Sequence, residues 1–180
     1  MNAPPSYARQ KKRELKICYD SAVSMEALAT IVILLHPLAA LAIIREFFNQ
    51  RKWRQERTKL SHETRDEAIS RHEKLGNRIF LYVIFVICLA FISKIIYFQI
   101  NNGEVTFSDL VPNHFHGWAG IIGLFLMIYL RQLGMKAKKN KKNKKSYGKI
   151  SNLHGRVSDV MTYLIIIHAF LGFLYLFTYL

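Results

Sequence analysis

Four apolar runs constrain this chain more than any other feature: Ala27 to Ile44, Ile79 to Phe98, Phe115 to Leu130 and Val160 to Leu180. Each is close to the ~17–25 residues a helix needs to cross a bilayer core of about 30 Å. A helix that packs in water keeps one polar face, with polar residues every third or fourth position. The stretch "IFLYVIFVICLAFI", Ile79 to Ile92, is apolar all the way round. The fold class expected is all-α, an integral membrane four-helix bundle with four transmembrane helices, and an ordinary soluble bundle is excluded. Residues 1–24 read as a basic tail with a short interfacial helix across Tyr7 to Val23. Residues 25–180 read as the membrane domain, with a lysine-rich loop at 133–149. "KKRELK" ahead of an apolar stretch and Ala40-Leu41-Ala42 has the outline of a cleavable leader. Glu26, His36 and Pro37 oppose that reading, so the first run is expected to be retained.

The formal net charge is +14, yet its distribution speaks of topology and not of nucleic acid. Residues 131–156 carry ten Lys or Arg, residues 49–76 carry eight, and residues 100–113 carry none. Cytoplasmic loops hold the basic excess, which places loops 49–76 and 131–156 inside and both chain ends outside. The tail, with Arg9, Lys11, Lys12, Arg13 and Lys16, runs against the rule but is outvoted. Cys18 and Cys88 are the only cysteines. No disulfide is expected between them, and no CxxCH or CxxC pattern offers covalent haem attachment or a zinc site.

Local signals mark the helix ends. Thr64 and Glu67 make a T-x-x-E capping box, so the second helix should start near Thr64, in water, and run to about Ile100. "NNG" at Asn101 to Gly103 is a turn signal. Pro112 suits the first turn of a third helix that would include His114 and His116. "GMKAKKNKKNKKSYGK" has eight lysines and no apolar cluster, which reads as a mobile linker, after which Ser151 would cap the last helix. With no P-loop, GxGxxG or HExxH in the chain, soluble enzyme chemistry has no foothold.

Seven histidines remain: His36, His62, His72, His114, His116, His154 and His168. Ionisable groups within spans are costly and suggest function, and His36 and His168 lie within spans. Ligands for one cofactor must share a depth on different helices. His72 lies seven residues before the second run and His154 six before the fourth, a mismatch of about 2 Å at 1.5 Å per residue. His36 lies nine residues before Arg45 and His116 fifteen before Arg131, a mismatch of about 9 Å if both arginines mark one boundary.

One turn after these four histidines stand Ala40, Gly76, Gly120 and Ser158, all small enough to let a flat porphyrin lie near the ligand's helix. Close helix packing is the plainer use of such residues. His114, about 200° round the helix from His116, reads as a rim residue. His168, fourteen residues after His154 with Gly172 one turn later, is the alternative outer ligand. Lys94 on the outer side and Arg78 or Arg156 on the inner side are candidate partners for haem propionates. Two axial imidazoles make a six-coordinate haem with no open position, suited to carrying electrons.

"HP" at His36-Pro37, "RHEKLG" at Arg71 to Gly76, "NNG" then "HFHGWAG" before the third run, and "NLHGRVSD" before the fourth resemble an uncharacterised four-helix membrane family of photosynthetic organisms. That family is itself similar to the cytochrome b561 superfamily. The resemblance covers roughly residues 27–180. It implies two b-type haems, one near each membrane face, held by His36 with His116 and by His72 with His154. It implies a transmembrane oxidoreductase that passes electrons across a plasma or thylakoid membrane. The donor or acceptor would be ascorbate, a quinone or an acidic redox protein. The long lysine stretch and His168 depart from the family pattern. The competing expectation is a haem-free accessory or assembly subunit of a larger membrane complex, and a proton-relay transporter is disfavoured by the lack of Asp or Glu inside the spans.

Overall fold

The computed structural model describes residues 5–56 and 62–178. Five helices follow in order: α1 (Pro5–Glu56), α2 (His62–Asn102), α3 (Phe107–Leu110), α4 (Phe115–Lys142) and α5 (Gly148–Leu176). Four of them contain segments long and apolar enough to cross a membrane: Thr30–Lys52, Thr64–Ile100, Phe115–Lys142 and Gly148–Leu176. The all-α four-helix architecture expected from the sequence is therefore the one found, with the build of a multi-pass membrane protein.

Helices α1 and α2 pack along each other as one hairpin, and α4 and α5 as a second; a smaller contact joins α2 to α4 across the seam. Phe47, Ile79, Met127, Leu130 and Met161, drawn from all four long helices, form a buried cluster at that seam. Ile79 and Met161 are only 2% exposed. Outward, Leu81, Phe85, Ile122, Phe125, Ile166, Phe170 and Phe173 are exposed. Water would not tolerate an apolar surface of that extent on a monomer, and lipid suits it.

Several helix limits differ from the sequence expectation. Helix α1 runs unbroken from Pro5, so residues 7–23 are continuous with the first span and not a separate interfacial helix. Residues 1–4 and 57–61 and the side chains of Cys18 and Glu26 lie outside the described part. Pro37 sits inside α1 without ending it, although proline lacks the N–H that would reach the Ile33 carbonyl. Helix α2 starts at His62, two residues before Thr64, so Thr64 is not its cap. Helix α5 starts at Gly148, and the Ser151 N–H bonds back to the Tyr147 carbonyl at 2.9 Å inside the first turn.

The lysine-rich stretch is the largest correction. Helix α4 continues to Lys142, and only a short turn separates it from α5. Lysine, alanine and glutamine are good helix formers, and the extension has anchors on α2. Lys138 meets Glu73 at 2.5 Å and Lys141 meets Asp66 at 2.7 Å. Such exposed pairs contribute roughly 0.2–1 kcal/mol each, enough to set the direction of a helix that already favours itself. Asn143 closes it, its N–H reaching the Lys139 carbonyl at 3.0 Å.

The loop before α4 contains α3, a single helical turn that the sequence reading did not anticipate. Asp109 accepts from the Thr106 N–H at 2.9 Å and from the Thr106 hydroxyl at 2.6 Å, a reciprocal cap legible as T-x-x-D at residues 106–109. The Thr106 hydroxyl and then its N–H hold the Asp109 carboxyl below its ordinary value of 3.8. A depressed carboxyl contributes stability that is complete above the ordinary value and lost as pH falls through the folded one. Protection of the Thr106 and Asp109 amides, taken relative to their intrinsic exchange rates at each pH, should therefore fall below about pH 4, while that of α4 stays high; unchanged protection at Thr106 would refute this cap.

Candidate functional site

Both histidine pairs bridge the seam between the two hairpins. His36 on α1 faces His116 on α4 with ring centroids 6.1 Å apart and planes inclined by 83°. His72 on α2 faces His154 on α5 at 6.2 Å and 76°. Two imidazoles on opposite sides of one first-row metal ion hold their nitrogens about 2.0 Å from it; with each centroid about 1.15 Å beyond its nitrogen, the centroids fall about 6.3 Å apart. Both pairs have the spacing of an axial couple.

Hydrogen bonds orient the rings. A carbonyl oxygen only accepts, so Nδ1–H donates in each of three bonds: His36 to Val86 O at 3.2 Å, His116 to His168 O at 3.0 Å and His154 to Leu130 O at 3.1 Å. Each bond fixes the tautomer and leaves the lone pair on Nε2, the arrangement that metal-ligating histidines adopt. His72 is held through its backbone, where its carbonyl accepts from Gln50 Nε2 at 2.8 Å.

The outer pair resolves the depth mismatch read from the sequence. Helix α1 continues well past Arg45, and Arg51 makes the ion pair across the seam, with Asp159 at 2.8 Å and with the Thr162 hydroxyl. Arg51 lies fifteen residues after His36 and Arg131 fifteen after His116, so the two histidines agree in depth when the deeper arginine is the reference.

His36, His116 and His168 line one cavity of about 370 Å³, within the range of small-molecule and cofactor sites. Lys94, Tyr97, His114 and Tyr175 also line it. Lys94 Nζ donates to the Val111 carbonyl at 3.2 Å and lies 5.8 Å from the Phe98 ring centroid. His114 is not inside the helix as expected but is its N-cap, with Nδ1 accepting from the Gly117 N–H at 3.0 Å. Its ring lies 3.9 Å from that of Tyr175. Arg156 and Arg78 are exposed, and Arg156, two residues after His154, points to another face of α5.

Several of the small residues lie against a side chain from another helix. A Cβ on Gly120 would come within 3.2 Å of the His168 ring, one on Gly172 within 2.6 Å of the His116 ring, and one on Gly76 within 3.2 Å of Gln50 Nε2. At Gly172 the His116 ring leaves no room for a Cβ, and at Gly120 and Gly76 the neighbour would have to give way. Gly134 faces His154 at ordinary contact distance, 3.7 Å from its Cβ position. Contacts of this kind have no signature in spacing along one helix.

Comparison with known proteins adds no relative: no protein-family model, no curated protein and no solved structure matches the chain.

Proposed function

We propose that this chain is a di-haem b-type cytochrome of b561-like architecture that relays single electrons across a membrane. His36 and His116 would hold one haem, and His72 and His154 the other. The observation that carries the reading is the repeated spacing: two pairs of imidazoles, on four different helices, each about the width of an axial couple. Neutral nitrogen donors, three of the four with Nδ1–H turned to a backbone carbonyl, fit that group, and no carboxylate ligand is required. Bound haem would supply a one-electron couple, and with both axial positions filled it would exchange electrons without activating oxygen.

The chain's own residues do the rest. His154 and His168 on α5 are fourteen residues apart, about 21 Å along the helix, and Met161 stands midway, seven residues from each. The buried cluster around Met161 would place an apolar layer between the two sites. Lys94 at the mouth of one site supplies a cation for an anionic group, a haem propionate or a reductant. The lysine-rich end of the bundle is the cytoplasmic side by the distribution of charge. It would attract anionic lipid or an acidic redox partner; a quinone or ascorbate fits the relay equally well as donor or acceptor. The membrane would be a plasma or thylakoid membrane.

The exposed apolar surface also suits a haem-free accessory subunit within a larger complex. A reduced-minus-oxidised visible spectrum of the detergent-purified chain separates the two readings. Two low-spin b-type haems per chain are expected, and a colourless protein after expression with ample haem would refute the relay.

A further inference from the structure

Where an axial pair uses two imidazoles, the site at the lysine-poor end gathers three. His36 comes from α1, His116 from α4 and His168 from α5, and their ligand nitrogens all lie within 4.8 Å of one another. The rings of His116 and His168 stack with centroids 4.0 Å apart and planes inclined by 21°. Their seats are reciprocal. Gly120, one turn after His116, lies under the His168 ring, and Gly172, one turn after His168, lies under the His116 ring. Two antiparallel helices thus present the same device, a histidine followed by a glycine at i+4, from both sides of one contact.

The two histidines differ in how firmly they are held. His116 Nδ1 donates to the His168 carbonyl, which commits its lone pair to Nε2. His168 Nδ1 is buried and makes no hydrogen bond among the described residues. A buried polar atom left unpaired is costly and calls for a reason. The His116 backbone still acts on its ring, but more loosely than the His168 carbonyl holds His116, so His168 is the less firmly held of the two and offers one lone pair as a neutral imidazole.

We propose that His168 is a second, interchangeable axial ligand of this site, able to replace His116 opposite His36. The proposal rests on the haem reading above. The exchange would substitute one neutral imidazole donor, His168, for another, His116, so no proton or electron would be gained or lost. Among the described residues His36 has no such deputy on its side of the cavity, so the site would be asymmetric, with one ligand from α1 and a choice of two from the α4–α5 hairpin.

The test compares His116→Ala, His168→Ala and the double variant with the unaltered chain, each purified in detergent, with haem counted per chain and spin state read from the visible spectrum. The haem held by His72 and His154 serves in every sample as the internal check that the bundle has folded. Both single variants should keep two low-spin haems, His116→Ala with a shifted band or potential, and the double variant should keep one. A His116→Ala chain that loses a haem or turns high-spin, with the second haem intact, overturns the proposal and leaves the relay standing. Loss on His168→Ala alone would overturn it too, as would two low-spin haems in the double variant. An unaltered chain without haem would overturn the relay itself.

Discussion

On the proposed di-haem reading, replacing His154 with alanine should halve the haem content, from two per chain to one, and leave the remaining haem low-spin. His154 is the α5 member of its pair, turned to face His72 by the bond from Nδ1 to the Leu130 carbonyl. Among the described residues, only His36, His116 and His168 form a cluster of three donors, so no third imidazole stands by to replace His154. The other site lies about 21 Å away along α5, beyond the apolar layer at Met161, and sites so far apart with no shared partner respond independently. Haem counting on the purified variant checks this directly. Two haems per chain in His154→Ala would refute the assignment of the pair.

Haem-free chain should also be much less stable, because the proposed cofactors bridge the seam between the hairpins. His36 and His72 belong to the α1–α2 hairpin, and His116 and His154 to the α4–α5 hairpin. Without the cofactors, the seam keeps the cluster around Ile79 and Met161 and the solvent-accessible pairs Arg51–Asp159, Lys138–Glu73 and Lys141–Asp66. A ligand that binds only the folded state at a hundred times its Kd stabilises it by roughly 2.7 kcal/mol. For a chain of this size that corresponds to about 5–10 °C in Tm for each site filled. Chain expressed under haem starvation and melted beside the loaded protein gives the measurement. Coincident melting curves would mean that the hairpins dock without help and that the histidine pairs do not clamp them.

The sequence by itself determined the architecture. Four long apolar runs mark the four helices able to cross a membrane, and the lack of basic residues between the second and third runs leads to the expectation of an alternating topology. Pairing His72 with His154 was also legible, because both stand at similar distances before their apolar runs and a helix converts residue count into depth. The same rule misplaced His36 when Arg45 was taken as the boundary, since a charge count cannot tell which arginine is exposed and which reaches across the seam. Local composition misled at residues 133–149 as well. Lysine without apolar neighbours reads as linker, yet Glu73 and Asp66 of α2 stand where Lys138 and Lys141 can meet them, and the helix continues.

Only the tertiary structure decided what the glycines do and how many imidazoles share the cavity. Gly120 and Gly172 make room for rings from another helix, a contact that depends on rotation and crossing of helices and leaves no period in either sequence. His168 reads along α5 merely as a histidine one cofactor's depth beyond His154. Its stack on His116 and its unbonded nitrogen exist because α4 and α5 run antiparallel at close range, which the small residues between them permit. Burial in a membrane is a property of composition, fixed residue by residue; convergence of three side chains from three helices is a property of packing, and packing settles it.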